Sequence, residues 1–311
     1  MRVFVAGGTG AIGRHLIPAL VADGHEVIAT TRSAGKLADL AAAGATAVVM
    51  DGLDRAVVLA AVREAAPEVI VHQMTALGVV KDFRRFDEEF AVTNELRTRG
   101  TDYLLEAARL AGTRRFVAQS FTGFTNEYAG TPVKTEDDPL NTDPPASARQ
   151  TLAGIRYVEQ TVPGAVPEGI VLRYGLFYGP GAANGTLAAL RAGKFPLIGG
   201  GTGIWSFCEI TDAAAATVAA VTRGAPGLYN IVDDEPAPAA QWVPFLAQCL
   251  GAAPAQEIPV SLGLDVAGDY LTAQMTTGRG SSNAKAKREL GWAPRYATWR
   301  EGFPEWVKSA Q

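Results

Sequence analysis

The run VFVAGGTGAIGRHL, residues 3–16, places Gly8, Gly10 and Gly13 in a G-x-G-x-x-G spacing, and Gly7 gives the same loop a G-x-x-G-x-x-G reading. Such spacing serves to grip a pyrophosphate. One glycine permits a tight turn, one lets backbone N–H groups approach the anion, and one lets helix and strand pack closely. The helix after the loop turns its partly positive N-terminus toward the same anion. Gly7, Thr9, Gly10, Ala11, Ile12 and Gly13 are therefore expected to bind a dinucleotide. About twenty residues further on, where a carboxylate would meet a ribose 2′-hydroxyl, the chain reads ATTRSAGK. Arg32 and Ser33 there suit a 2′-phosphate, which a carboxylate would repel, so NADP is expected rather than NAD. The stretch AGKFP has Phe195 where a Walker phosphate loop needs Ser or Thr, which excludes that alternative.

A hydride-carrying cofactor ordinarily works beside a proton donor. The proline-led helix start PASARQTLAG, residues 145–154, has Arg149 as its only charged group, and a guanidinium does not release a proton near neutrality. Ser120 and Thr122 follow an apolar strand at its carboxyl end, where ligands of open α/β sheets bind. Each either donates to a substrate carbonyl or caps the strand end. Tyr128 is the nearest tyrosine in sequence, and becomes an acid if its loop folds over the pocket. These three are the catalytic candidates. His72 is expected to serve sheet packing, Glu209 to be a solvated or paired strand residue, and Glu136-Asp137-Asp138 to form a solvated loop. The three histidines fall in no metal-binding spacing, and Cys208 and Cys249 make no CxxC pair. No metal site and a reducing compartment are the expectation.

Short apolar runs at 2–6, 26–30, 46–50, 68–72, 115–119 and 169–173 alternate with helical segments at 12–22, 36–43, 54–66 and 86–111. That alternation predicts an α/β fold: a doubly wound parallel sheet of the Rossmann type, buried on both faces. From about Leu176 the chain becomes rich in glycine and proline. The expected division is a dinucleotide domain over 1–175, also receiving 204–232, and a smaller substrate lobe from 176–203 and 233–311. A net charge of −4 gives no basic field for nucleic acid. No apolar run reaches membrane-spanning length and no signal peptide opens the sequence, so a cytoplasmic protein with a small-molecule substrate is expected.

The segment AGGTGAIG resembles the opening of extended and atypical short-chain dehydrogenase/reductases, grouped with the NAD-dependent epimerase/dehydratases. Further stretches agree: VVMDGLD, VIVHQMTALG, GTDYLLEAARLAGTRRFVAQS, LRYGLFYGPG, GIWSFCEITDAAAA and SNAKAKRELGW. The resemblance implies that Asp51, Gly52 and Leu53 meet the adenine. It also implies that Gln73, Met74, Thr75, Tyr174 and Leu176 lie beside the nicotinamide half. The family's catalytic signature is a tyrosine four residues before a lysine, and the matching positions here are Ser147 and Thr151. The helix ending near Ala111 resembles one that pairs across a dimer in many relatives, which leaves two alternatives, a homodimer or a helix whose exposed residues are solvated.

The combined expectation is an NADP(H)-dependent oxidoreductase of atypical short-chain type acting on a small apolar or aromatic carbonyl, enone or alcohol. Phe121, Phe124, Tyr178, Phe195 and Trp205 supply aromatic character to the substrate lobe. Two alternatives stand beside it: an isomerase, epimerase or cyclase without net redox change, and a non-catalytic NADP-binding sensor.

Overall fold

The computed structural model describes residues 1–77, 82–122 and 126–310; Phe124 lies outside them. Seven parallel strands form one sheet: β1 (Arg2–Ala6), β2 (Glu26–Thr31), β3 (Thr46–Val49), β4 (Val69–His72), β5 (Arg115–Phe121), β6 (Glu168–Tyr174) and β7 (Gly227–Ile231). Their order is β7-β6-β5-β4-β1-β2-β3. Direction of travel reverses between β1 and β4, so a crevice opens at the carboxyl ends of those two strands.

Alternation of side chains sends Val3, Val5, Val71, Val117 and Leu172 to one face, under α1 (Gly13–Ala22) and the helix Ile210–Thr222. Phe4, Ile70, Phe116 and Val171 go to the other, under helices at 55–65, 101–111 and 149–165. Both faces are thus dry, which is why these strands read as continuous apolar runs. The strand GLYNI at β7 escaped the sequence pattern because a glycine opens it and an asparagine interrupts it. Its pairing with β6, Tyr229 against Leu172, supplies what propensity does not.

The remaining chain builds a second core around Trp242, Trp299, Phe303 and Phe207, with Phe207 meeting Phe303 edge to face at 5.1 Å. Tyr178, Phe195 and Trp205, expected among the substrate-facing aromatics, are buried in this core. Phe195 and Trp205 pack on Trp242, which makes both of them structural. No helix among the described residues is long and apolar enough to cross a membrane.

The helix expected over 86–111 is broken. Short segments at Phe86–Glu89 and Ala91–Glu95 lead into a π turn at Leu96–Gly100, and only then does Thr101–Ala111 run to its left-handed stop at Gly112. In the π turn the Leu96 carbonyl accepts from Thr101 N–H, and it also accepts a hydrogen bond from His72 Nε2 at 3.3 Å. Beyond that turn, Leu110 stands out to solvent on the outer face.

Just past β7, Asp233 is buried beside the lobe, and its Oδ2 has no partner among the described residues. Burial pushes its pKa up to about 8. The folded chain therefore holds this proton more tightly than the unfolded chain, whose value is near 3.8. The group costs nothing below that pH and progressively more as pH rises toward 8. Asp233→Asn should accordingly raise the thermal midpoint by several degrees at pH 8, on the order of 2–4 °C per kcal/mol, and by much less at pH 4.5. A melt series across pH reads this directly, and a pH-independent difference contradicts it.

Candidate functional site

The loop after β1 is held by its neighbours at backbone distance. Gly7 sits at φ +95°, and a Cβ there would lie 2.8 Å from the Gln73 carbonyl carbon. A Cβ on Gly13 would lie 2.3 Å from Gly8 O, and one on Gly8 2.9 Å from Ile17 Cδ1. At Gly7 and Gly13 the obstacle is backbone and no side chain fits, while at Gly8 the Ile17 side chain would have to move. Gly7 N–H donates to Thr30 Oγ1 at 3.1 Å, Gly8 N–H donates to Thr30 O at 2.9 Å, and Thr9 Oγ1 reaches Thr31 Oγ1 at 3.3 Å. Helix α1 then starts with no side-chain cap and no acidic residue in its first turn. Of its leading N–H groups, Arg14 donates to Gly10 O at 3.2 Å and His15 to Ile12 O at 2.9 Å, while those of Ile12 and Gly13 have no partner among the described residues, which is the arrangement a pyrophosphate needs.

Around this cradle the other expected residues gather. Arg32 and Ser33 are exposed just beyond β2. The hydroxyls of Thr30 and Thr31 face inward instead: Thr30 holds the glycine loop, and Thr31 Oγ1 accepts from Ser33 N at 3.2 Å. After β3, Asp51 Oδ1 accepts from Leu53 N at 3.0 Å. A Cβ on Gly52 would fall 2.3 Å from Met74 Sδ, so the loops after β3 and β4 form one wall. Gln73 donates from Nε2 to Tyr174 OH at 3.0 Å, Tyr174 OH pairs with Thr217 Oγ1 at 2.7 Å, and the buried Gln73 Oε1 has no partner among the described residues. Burial pushes the Tyr174 phenol pKa well up, so it stays protonated. Thr75 and Leu176 are half-buried at the same end of the sheet. A nicotinamide dinucleotide fits this set: a glycine cradle that any Cβ would fill, an uncapped helix start and an orphaned buried acceptor.

His72 is fixed as the neutral ring. Its Nε2–H donates to Leu96 O while Nδ1 accepts from Met74 N at 3.2 Å, and burial lowers its pKa to about 4. Glu209 caps the helix Ile210–Thr222, accepting from Thr211 N at 2.7 Å and Asp212 N at 3.2 Å. Within the acidic run, Glu136 Oε1 accepts from Asn230 N at 2.7 Å and Asp138 Oδ2 from Thr135 N at 2.8 Å, so two of the three carboxylates are tied to backbone.

The hydroxyls expected to do chemistry sit in separate networks. Ser120 donates to Glu159 Oε1 at 2.7 Å, and Glu159 is also gripped by Arg173 through Nε at 2.8 Å and NH2 at 2.7 Å. Thr122 shares a hydrogen bond with Ser281 Oγ. Tyr128 differs: its hydroxyl is sealed from solvent beside the Thr277 and Asn141 side chains, and burial raises its pKa. It lines an open cleft of about 430 Å³ with Arg149, Asp269, Thr272 and Thr276. Ser147, matched by the sequence resemblance to the tyrosine, donates from N and Oγ to Asp269. Thr151, matched in the same way to the lysine, donates to Asp87 Oδ1 from Oγ1 at 2.7 Å and from N at 2.8 Å. Glu159, Arg173, Asp87 and Asp269 carry no motif, and only their pairing across distant segments shows their parts.

Residues 3–232 match the NAD dependent epimerase/dehydratase family. The chain belongs to that family. It is 46% identical over 308 residues to a 3-diazoavenalumate denitrifying reductase of a Streptomyces species, covering 97% of this chain and 99% of the relative. In three dimensions it is similar to the UDP-glucose 4-epimerase of Thermus thermophilus in complex with NAD, with a TM-score of 0.76, 24% identity and coverage of 100% and 99%. A human epimerase family protein with NADPH gives 0.74, at 21% identity and 99% coverage of both chains. The chain is a nicotinamide-dinucleotide-dependent oxidoreductase of the short-chain type.

The Ser120–Glu159–Arg173 network is sealed, with the two charged side chains 3% and 2% exposed. Glu159→Gln would strand the Arg173 charge and should cost about 3–5 kcal/mol, read as a lower urea midpoint. An unchanged midpoint would show that the pair does not hold β5 and β6 to the helix at 149–165.

Proposed function

We propose that this chain is an NADPH-dependent reductase of small diazo-bearing aromatic acids, the hydride replacing dinitrogen at carbon. The observation that carries the reading is that the hydroxyls of Ser147 and Thr151, which the sequence resemblance matches to the proton-exchanging pair, are each hydrogen-bonded to a carboxylate, Asp269 and Asp87. Reducing a carbonyl develops an oxyanion that must receive a proton, and losing a positioned acid forfeits about 10²–10⁴-fold in rate. Reducing an arenediazonium develops none. A C–H bond forms, the C–N bond breaks, and its electron pair leaves with N₂, so the cationic substrate and one hydride give a neutral arene. The name of the Streptomyces relative, a denitrifying reductase of a diazo compound, supports the same chemistry.

When bound, the dinucleotide supplies the hydride. In this reading Gly7, Thr9, Gly10, Ala11, Ile12 and Gly13 hold its pyrophosphate. Asp51, Gly52 and Leu53 bound the adenine, while Gln73, Met74, Thr75, Tyr174 and Leu176 flank the nicotinamide half. Arg32 and Ser33 take the 2′-phosphate, since they are exposed beside the cradle with no acid at the end of β2.

Incubation with NADPH deuterated at the nicotinamide C4 and a panel of arenediazonium carboxylates, ketones and enones tests the reaction. The expected result is N₂ release with one deuterium at the vacated carbon, and deuterium appearing only in ketones or enones contradicts it. A second reading, carbonyl reduction with Tyr128 as acid, is favoured by the place of that residue in the cleft wall. Tyr128→Phe separates the two: a loss of about 10²-fold or more supports carbonyl chemistry, and a rate within about twofold supports the diazo reading. For the cofactor, Arg32→Ala should weaken NADP⁺ binding by about tenfold or more while leaving NAD⁺ nearly unchanged in calorimetry. Equal losses would remove the basis for NADP preference.

A further inference from the structure

Arg97 lies in the π turn and is only 8% exposed, yet it has no carboxylate partner among the ion pairs of the described residues. Its NH1 donates to Asn94 Oδ1 at 3.3 Å, and Asn94 Nδ2 donates to Thr151 Oγ1 at 3.1 Å. The guanidinium is therefore linked through one amide to Thr151, which the sequence resemblance matches to the lysine. The stem passes the start of the helix Arg149–Ala165, where a Cβ on Gly154 would come within 3.6 Å of Arg97 Cδ.

The carboxylates nearby are already engaged. Asp87 caps the helix start, accepting from Gln150 N and Thr151 N at 2.8 Å each, and Glu159 is held by Arg173 and Ser120. Burial lowers the Arg97 pKa to about 10, so the charge persists at neutral pH. No Arg97 nitrogen is among the sealed polar atoms that lack a partner, so the remaining donors reach accessible space. The guanidinium also lies 6.0 Å from the centre of the Phe90 ring and feels the attraction of Glu159, yet with one hydrogen-bond partner it keeps donors for a further balancing group.

The turn itself shows where that balancing group would lie. Leu96 O is bonded to His72 at the end of β4, and a Cβ on Gly100 would be 3.5 Å from Gly52 O and 3.6 Å from Met74 Cε. The π turn therefore packs on the wall formed by the loops after β3 and β4, at the switch point.

We infer that Arg97 holds the nicotinamide-riboside half of the dinucleotide through its oxygens. A guanidinium donates hydrogen bonds to such oxygens but does not pass a proton near neutrality. Arg97 is thus a cofactor-positioning residue, and the inference rests on the dinucleotide reading of the glycine cradle.

Two ligands separate the inference from that reading. NADP⁺ carries both halves, whereas 2′,5′-ADP carries the phosphorylated adenosine without the nicotinamide riboside. Calorimetric titration of Arg97→Gln should show NADP⁺ weakened about 10- to 100-fold, with 2′,5′-ADP within about twofold of the parent. Arg97→Lys, which keeps the charge and loses the fork, should show a smaller selective loss of about three- to tenfold. It carries the test if the glutamine variant melts before binding can be measured. Equal losses for both ligands, or no loss for NADP⁺, overturn the inference while leaving the cradle intact. Failure of the parent protein to bind either ligand overturns both.

Discussion

The loop after β1 can pass against the chain after β4 only because Gly7 has no side chain. With a left-handed φ and the Gln73 backbone 2.8 Å from where a Cβ would stand, any other residue would push the two crossings apart. The same constraint recurs at Gly13 against Gly8 and at Gly52 against Met74. Three loops are thereby drawn to one point at the carboxyl end of the sheet. A phosphate can reach backbone N–H groups there because nothing bulkier than hydrogen lies between. Every other site residue takes its place from this convergence.

Around it, hydroxyls and carboxylates have been turned to structural use. Ser147 with Asp269, Thr151 with Asp87, and Ser120 with Glu159 each join segments far apart in sequence. In a buried setting such charge-assisted bonds are strong, and removing one partner is costly. These hydroxyls are thus spent on fastening the helix Arg149–Ala165 and the turn before it to their neighbours.

The π turn at Leu96–Gly100 links these two themes. Its Leu96 carbonyl accepts both the helical bond from Thr101 N–H and the bond from His72, and it turns Arg97 inward beside the helix Arg149–Ala165. A regular helix would carry the side chain at 97 to a different azimuth. A single extra residue in a helical turn therefore shapes both the nucleotide-facing wall and the charge beside it.

The sequence by itself determined the parallel sheet and the phosphate loop, because both rest on local patterns. Six apolar runs and the glycine spacing are visible within windows of a few residues, and the strands appear where those runs stand, with ends shifted by at most two residues. Arg32 after β2 was legible for the same reason. The tertiary structure alone decided which polar groups are committed. The partners of Ser120, Thr122 and Thr151 lie 39, 159 and 64 residues away, and no local window contains them. The strand GLYNI, the broken helix and the inward arginine belong to the same class. Each owes its conformation to a neighbour across the sheet or crevice rather than to its own propensity.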